Sequence, residues 1–271
     1  MISFEFSAPR NDAARDKVLT VRDKLSTLDP EFFSVTYGAG GSTRDGTLQT
    51  VLALTESGTS TAPHLSFGRD DEGFIRELLT QYQSAGIRRI VALRGDVPSG
   101  TGPGNHIYAD ELVSFIRQET GDHFHIEVAA YPEVHPDSTS PNSDLAYFKQ
   151  KVDAGADSAI TQYFYNADAY FHYVDTVTAL GVDIPIVPGI MPITNVDTLL
   201  RFSDKCGADI PRWISQHLMQ YRDDKASLQS FTTDLVTSLC ARLLEGGAPG
   251  LHFYTLNQSL PTLRIFRQLS T

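Results

Sequence analysis

Short apolar runs that carry or end in a polar residue or a glycine recur along this chain at a near-constant step, and that recurrence constrains its fold more than any other feature. Residues 1–6 carry Glu5, 32–37 end in Thr36-Tyr37, 59–67 carry His64, and 90–93 lead into Arg94. Residues 124–131 end in Tyr131, 158–162 in Gln162, and 184–190 pass through Gly189. These markers follow one another at roughly 30-residue intervals, the length of a strand plus its crossover helix. The run 251–255, with His252 and Tyr254, comes after an interval about twice as long. Eight such runs in 271 residues suit a (β/α)8 TIM barrel of the α/β class. The expectation is one domain over 1–271, with extra helices before the eighth strand around 211–244. An open doubly wound sheet is the other arrangement for such a pattern, and the even run of eight favours the barrel.

The intervening segments carry helical signals. Asp70-Asp71-Glu72 supplies an acidic first turn, after which Phe74, Ile75, Leu78, Leu79 and Tyr82 make one apolar stripe that Gly86 closes. Ser143 is placed to cap a helix whose Leu145, Phe148 and Val152 face inward. Thr194 or Asn195 starts another, with Leu199, Leu200 and Phe202.

The net charge of −11 argues against nucleic acid as the main partner. No apolar stretch approaches the roughly 18 residues of a membrane span, and Glu5 interrupts any N-terminal leader. Cys206 and Cys240 form neither a disulfide framework nor a zinc-like spacing. A cytoplasmic protein is expected.

Active sites of such barrels are built at the C-terminal strand ends. That places Glu5, Thr36, Tyr37, His64, Arg94, Asp96, Tyr131, His135 and Gln162 together at one mouth. No GxSxG elbow supports acyl transfer. A metal site is not expected either: the HxH pair His123-Phe124-His125 falls at a strand start, on the stability side of a barrel, where solvated histidines are the expectation. Arg94 and Lys151 suit a phosphate. Asp144, Tyr147 and Lys151 share a helix face at i, i+3 and i+7, as a ligand-holding trio or an ordinary solvated face. Of the aromatics Tyr108, Tyr131, Tyr163, Phe164 and Tyr165 near strand ends, most belong to the core and one or two at the rim suit stacking on a ring system.

The run Ile90-Val91-Ala92-Leu93-Arg94-Gly95-Asp96 puts opposite charges at the lip of a buried strand. It reads either as a turn with a surface ion pair or as two separate site residues. As an adhesion tripeptide it would need an exposed loop on a secreted protein, which the absence of a leader and of a disulfide pattern disfavours.

Several segments together resemble the methylenetetrahydrofolate reductase family, in its bacterial form with the catalytic barrel alone. They are Phe4-Glu5-Phe6, Ser34-Val35-Thr36-Tyr37-Gly38-Ala39, Ala62-Pro63-His64-Leu65 and the run 90–96. Further along come Ala129-Ala130-Tyr131-Pro132-Glu133-Val134-His135-Pro136, Lys151-Val152-Asp153-Ala154-Gly155-Ala156 with Ile160-Thr161-Gln162, Pro188-Gly189-Ile190-Met191-Pro192 and His252-Phe253-Tyr254-Thr255-Leu256-Asn257. The match runs in order from Ser3 to Asn257, nearly the whole chain.

The resemblance implies FAD held at the strand C-termini and reduction of 5,10-methylenetetrahydrofolate to 5-methyltetrahydrofolate by NADH or NADPH, ping-pong through the flavin, in one-carbon metabolism and methionine biosynthesis. It implies flavin contacts from Thr36, Tyr37, Ala39 and His64, then from Arg94, Gly95, Asp96, Tyr108 and Ala109, and from Tyr131, His135, Asp144 and Lys151. Glu5 corresponds to the general acid, and a buried glutamate with a raised pKa suits proton delivery to the folate nitrogen. Asp96, as the second catalytic residue, disfavours extra negative charge on the flavin ring and favours a cationic iminium. Glu5, Asp96, Gln162, Tyr170, Phe202 and Gln258 correspond to folate contacts. A homo-oligomer is implied as well. The nearest rival is another folate- or flavin-binding barrel, such as a methyltransferase without redox chemistry.

The chain departs from the family's usual pattern at Ser7-Ala8-Pro9-Arg10, where Phe-Pro-Pro-Arg is common. Gln258 stands where a basic residue often follows the Asn, and Tyr147 and Gln150 replace polar and basic residues that often help hold FAD. The sequence ends soon after the eighth strand, without the length of the C-terminal regulatory domain of eukaryotic relatives, so control by S-adenosylmethionine is not expected.

Overall fold

A computed structural model describes residues 1–37, 44–67, 72–95 and 108–270. Its strands are all parallel and form a nearly closed barrel in the order β7-β6-β5-β4-β3-β2-β1-β9-β8. The strands are β1 (Ile2–Phe6), β2 (Phe32–Val35), β3 (Thr61–Leu65), β4 (Arg89–Ala92), β5 (His125–Ala130), β6 (Ser158–Thr161), β7 (Ile186–Val187), β8 (Gly189–Ile190) and β9 (Leu251–Tyr254). The first helices are α1 (Asp12–Leu25), α2 (Arg44–Glu56), α3 (Glu72–Ser84), α4 (Ala109–Thr120), α5 (Pro141–Asp153) and α6 (Ala167–Ala179). The long interval before the last strand holds α7 (Val196–Cys206), α8 (Arg212–Gln220) and α9 (Lys225–Glu245), and α10 (Leu260–Leu269) follows it. The (β/α)8 expectation and the extra helices both hold.

The seventh strand differs from expectation. The run 184–190 is not one strand but two short ones, because Pro188 has no N–H to give to a ladder. Before it, Ile186 and Val187 pair with β6; after it, Gly189 and Ile190 pair with β9. The barrel closes through the covalent continuity of this one segment. Gly189 makes the closure possible: a Cβ there would lie 2.1 Å from the Thr161 carbonyl oxygen and 2.6 Å from the Tyr254 ring. The backbone N–H of Gly189 instead donates to Thr161 Oγ1 at 2.9 Å, and the Tyr254 hydroxyl donates to the Thr161 carbonyl at 2.7 Å.

Strand alternation sorts the side chains into two populations. Phe4, Phe33 and Phe253 point outward into the layer between barrel and helices; the Phe4 ring lies 5.5 Å from that of Phe33 and 6.0 Å from that of Phe253. Burying each such ring contributes about 1.5–3 kcal/mol. Ile75, Leu78, Leu79 and Tyr82 of α3 are buried in the same layer, as their spacing predicts. Asp70 and Asp71 lie outside the described residues. The inward positions are mixed: Phe32, Ala62, Val91 and Ile160 form a small apolar cluster, amid buried Ser3, Ser34, His64, Glu127, Ser158 and His252.

Two helix starts refine the sequence reading. Asn195 caps α7, its side chain accepting from Thr198 N–H at 2.8 Å. The cap of α5 is Ser140 rather than Ser143, with Pro141 in the first turn where its missing N–H costs nothing. Ser143 sits three residues in, and its hydroxyl accepts from the Ser140 N–H at 3.0 Å.

The lower end of the barrel is closed electrostatically. Arg89 bonds both the buried Glu127 and Glu31, and its guanidinium lies 4.4 Å from the centre of the Phe32 ring. Here the histidines depart from the solvated expectation: His125 Nε2 is 2.7 Å from Ser158 Oγ, and His123 Nε2 is 3.0 Å from the Ile87 carbonyl oxygen. Burial alone would raise the Glu127 pKa, but hydrogen bonds from His125 and Ser158 and the charge of Arg89 outweigh it and hold the carboxyl below its ordinary value. A depressed carboxylate stabilises the fold above its unfolded pKa and loses that contribution as pH falls through the folded one. Arg89→Met strands the Glu127 charge in the lumen, and chemical denaturation at neutral pH is expected to show a loss of about 3–5 kcal/mol that shrinks as pH is lowered into the acid range.

Candidate active site

Glu5 stands one residue before the end of β1, facing the lumen from between β2 and β9. Its side chain is 17% exposed, and His64 Nε2 from the top of β3 approaches its Oε2 at 3.4 Å. This is not an ion pair at neutral pH. Burial pushes the Glu5 pKa up to about 8. Burial, with a contribution from His252, pushes that of His64 down to about 3. A carboxylic acid that stays protonated beside a neutral imidazole, with a hydroxyl to donate upward, is the most distinctive group of the mouth.

The strand exits are tied to one another. Thr255 Oγ1 donates to the Glu5 carbonyl at 2.6 Å, and Asn257 exchanges two hydrogen bonds of 2.9 Å with the Ser7 backbone. Leu256 and Asn257 adopt positive φ of 50° and 56° to make that turn. Thr36 Oγ1 accepts from the Ala8 N–H at 3.1 Å, and Tyr37 is half-buried beside it. These bonds fix the backbone around Glu5.

A second group gathers where β4, β5 and α5 meet. Arg94 bonds Asp137. His135 Nδ1 accepts from the Asp137 N–H at 3.0 Å, and its ring packs edge-on against Tyr131 at 4.4 Å. Asp144 accepts from the His135 N–H at 3.3 Å and from Ser138 Oγ at 2.8 Å. Lys151 donates to the Ala129 carbonyl, and burial pushes its pKa down to about 8 against the pull of Asp144 and Asp110. Of the trio on the α5 face, Asp144 and Lys151 are therefore engaged, while Tyr147 is 53% exposed. Burial and the nearby Arg94 likewise lower the His135 pKa. Tyr108 and Ala109 stand at the start of α4, where the Tyr108 N–H donates to the Glu111 carboxylate at 2.6 Å. Gly95 is half-buried at the exit of β4. Ala39 and Asp96 lie outside the described residues.

Gln162 directly follows β6, with its Oε1 accepting from the Tyr163 N–H at 3.0 Å. It lines a cleft of about 180 Å³ with Tyr131, Glu133, Val134, Tyr163 and Cys206. Val134 holds a φ of +71°, a strained conformation for a β-branched residue. Glu133 accepts from the Asp209 N–H at 2.8 Å, and burial raises its pKa. Sequence reasoning assigned Glu133 no role, although it lies inside the segment 129–136.

The remaining candidates sit in different surroundings. Phe202 is half-buried on α7 under the Arg201 guanidinium, and Gln258 is exposed. Tyr170 is buried in α6, stacked on Phe164 at 5.7 Å, with its hydroxyl donated to the Ile186 carbonyl at 2.7 Å. That hydroxyl is used inside the fold. Tyr163, Phe164 and Tyr165 are likewise buried, so the strand-end aromatics after β6 belong to the core. Cys206 and Cys240 are free thiols. No helix among the described residues is long and apolar enough to cross a membrane.

Comparison with known proteins agrees with this geometry. The family model for methylenetetrahydrofolate reductase matches residues 1–270. The 5,10-methylenetetrahydrofolate reductase of Escherichia coli K12 is 38% identical over 259 residues, covering 95% of this chain and 86% of its own length. That of Pectobacterium carotovorum is 39% identical with the same coverage. A probable methylenetetrahydrofolate reductase (NADH) of Oryza sativa is 37% identical, and the match spans 99% of this chain but 48% of the rice protein. Among solved structures, a protein of Clostridium thermocellum described as binding two copies of 5-methyl-5,6,7,8-tetrahydrofolic acid superposes with a TM-score of 0.69 at 17% identity, covering 98% of this chain and 93% of that one. Matched over essentially its whole length, the chain belongs to the methylenetetrahydrofolate reductase family.

Proposed function

We propose that this protein reduces 5,10-methylenetetrahydrofolate to 5-methyltetrahydrofolate with NADH or NADPH, and that Glu5 is its general acid. The observation that carries the reading is the Glu5 carboxyl itself: buried at the barrel mouth, without a cation beside it among the described residues, and protonated at neutral pH. Opening the five-membered ring of the substrate to an iminium requires a proton on nitrogen. A carboxylic acid that retains its proton up to about pH 8 supplies one under physiological conditions. The uncharged His64 beside it keeps the site free of a competing cation.

FAD is the cofactor of this reading. The residues present fit it: Arg94 at the lip of β4, the half-buried Lys151 ammonium on α5 and the N-terminus of α4 bring cationic and N–H donors to one side of the mouth. Those groups would hold the anionic part of the dinucleotide, with Tyr131 and His135 beside them. When bound, FAD supplies the two-electron chemistry that joins nicotinamide oxidation to folate reduction. The chain's own part is to bind, to orient and to move the proton. Gln162 and Phe202 are proposed as folate contacts, and Asp96 as the carboxylate facing the flavin.

Glu5→Gln keeps the shape and removes the proton. Oxidation of reduced nicotinamide with an artificial acceptor is expected to stay within about two-fold, while methylenetetrahydrofolate turnover falls by about 10²–10⁴-fold. Equal loss of both half-reactions would refute the assignment. A yellow purified protein, bleached anaerobically by NADH or NADPH, separates this reading from a flavin-free methyltransferase. Lys151→Met is expected to weaken FAD retention by roughly 10–100-fold, measured by flavin fluorescence on dilution.

The same residue shapes stability. The folded pKa of Glu5, about 8, stands above the ordinary 4.5, so folding favours the protonated form. That contribution is complete below pH 4.5, declines as pH rises, and is gone above pH 8. Glu5→Gln escapes the loss, and its Tm is expected to exceed that of the parent at pH 8 by the equivalent of about 2–4 kcal/mol while matching it near pH 4.

A further inference from the structure

The bore of a parallel barrel is ordinarily filled by branched apolar side chains. Below Glu5 this one is polar. Ser34 shares the inward face of β2 with Phe32, His64 that of β3 with Ala62, and His252 that of β9 with Tyr254. Ser34 is the register partner of Glu5 across β1–β2, and His252 that of Ser3 across β1–β9. All four of Ser3, Ser34, His64 and His252 are buried. Three atoms of this group have no hydrogen-bond partner among the described residues: Ser34 Oγ, His64 Nε2 and His252 Nε2. Native structures rarely leave such atoms unmet, and a buried water with three or four polar partners is the usual remedy.

The valences match a single water. Burial holds both imidazoles neutral, with pKa values of about 3 for His64 and about 4 for His252, so each carries one N–H. His252 Nδ1 lies 2.7 Å from Ser3 Oγ; accepting that hydroxyl proton leaves its N–H on Nε2. His252 Nε2–H and the Ser34 hydroxyl are then donors, while His64 Nε2 and the Glu5 carboxyl oxygen are acceptors. His64 Nε2 approaches Glu5 Oε2 at 3.4 Å without the alignment of a hydrogen bond. Two donors and two acceptors are what one water molecule satisfies.

We propose that an ordered water sits in the lumen beneath Glu5, held by Ser34 Oγ, His252 Nε2 and His64 Nε2, and donates a hydrogen bond to the carboxylate that Glu5 becomes once its proton has left. Ser34 and His252 are thereby positioning residues for the acid. The inference rests on Glu5 being that acid. The titratable groups that face Glu5 are His64 from β3 and Tyr254 from β9; His252 lies beyond His64, Tyr131 beyond Tyr254, and lower in the bore Glu127 is paired with Arg89. No cation among the described residues adjoins Glu5, and the charge of Arg89 is taken up by Glu127, so the stabilisation of the new carboxylate falls to the water. Losing it destabilises the carboxylate, slows proton donation and raises the Glu5 pKa. Because the reaction requires protonated Glu5, the alkaline limb of the rate profile moves up with it.

The test combines crystallography of the full chain with Ser34→Ala, His252→Asn and His252→Gln. His252→Asn keeps a polar atom near Nδ1 for Ser3 and removes Nε2, whereas His252→Gln restores an N–H near the Nε2 position. A high-resolution structure of the unmodified protein is expected to show density for one water between Ser34, His64 and His252. Ser34→Ala and His252→Asn are expected to slow methylenetetrahydrofolate reduction by roughly 3–30-fold and to raise the alkaline midpoint by about half a unit or more, with nicotinamide oxidation by an artificial acceptor unchanged. His252→Gln is expected to recover most of the rate. An empty lumen in that structure, or variants whose folate pH profiles overlay the parent's, overturns the proposal. Glu5→Gln separates the two readings: if it abolishes folate turnover while the Ser34 and His252 variants leave the profile unmoved, the acid stands and the water falls. If it retains turnover, the acid assignment itself fails, and with it the role given to the water.

Discussion

The closure of the barrel at Gly189 is the constraint on which the rest of the structure depends. Pro188 interrupts the seventh strand, so the segment serves two neighbours in turn, β6 before the proline and β9 after it. The ring can shut only if the residue after the proline brings no side chain, because the Thr161 carbonyl and the Tyr254 ring already fill the space. β1 runs between β2 and β9, and with the ring shut the opposite strands face Glu5 across the lumen. Its burial, and hence its hold on a proton, follows from that enclosure. Opened at that seam, the sheet would end at β7 and β8, and Glu5 would face water instead of the far wall of the barrel.

Two glutamates in the same bore show how environment divides one residue type into two roles. Glu127, low in the barrel, is met by Arg89, His125 and Ser158 and stays charged. Glu5, at the mouth, is met among the described residues by the neutral imidazole of His64, which makes no hydrogen bond to it, and stays protonated. The first helps hold the strands together at the end of the barrel that is not the active mouth. The second is left underpaired at the end where loops can deliver a ligand. Stability and reactivity are thus separated along the barrel axis, as the fold's general division of labour expects.

The cationic side of the mouth is built differently, from a loop held in place by its own carboxylates. Asp144 braces the 135–138 turn, Asp137 takes Arg94, and Lys151 reaches beneath the strand to the Ala129 carbonyl. Each carboxylate here restrains a cation or a histidine rather than facing a ligand directly. Arg94 is thus paired across to Asp137, forty-three residues away.

Much of this was legible in the sequence. The near-constant spacing of polar strand ends determined the (β/α)8 order, because each βα unit has a minimum length, and the motif residues at those ends determined the family. Their position at C-terminal strand ends also placed Glu5 and His64 at the mouth. What the sequence did not reveal depends on contacts between residues far apart in the chain. Nothing local says that the two halves of the seventh strand pair with different neighbours, that Tyr170 gives its hydroxyl to Ile186, or that Asp137 takes Arg94. The protonation of Glu5 and the unmet nitrogens of His64 and His252 are of the same kind. They are sums over neighbours contributed by β2, β3 and β9, and only the closed barrel brings those neighbours together and excludes bulk water from between them.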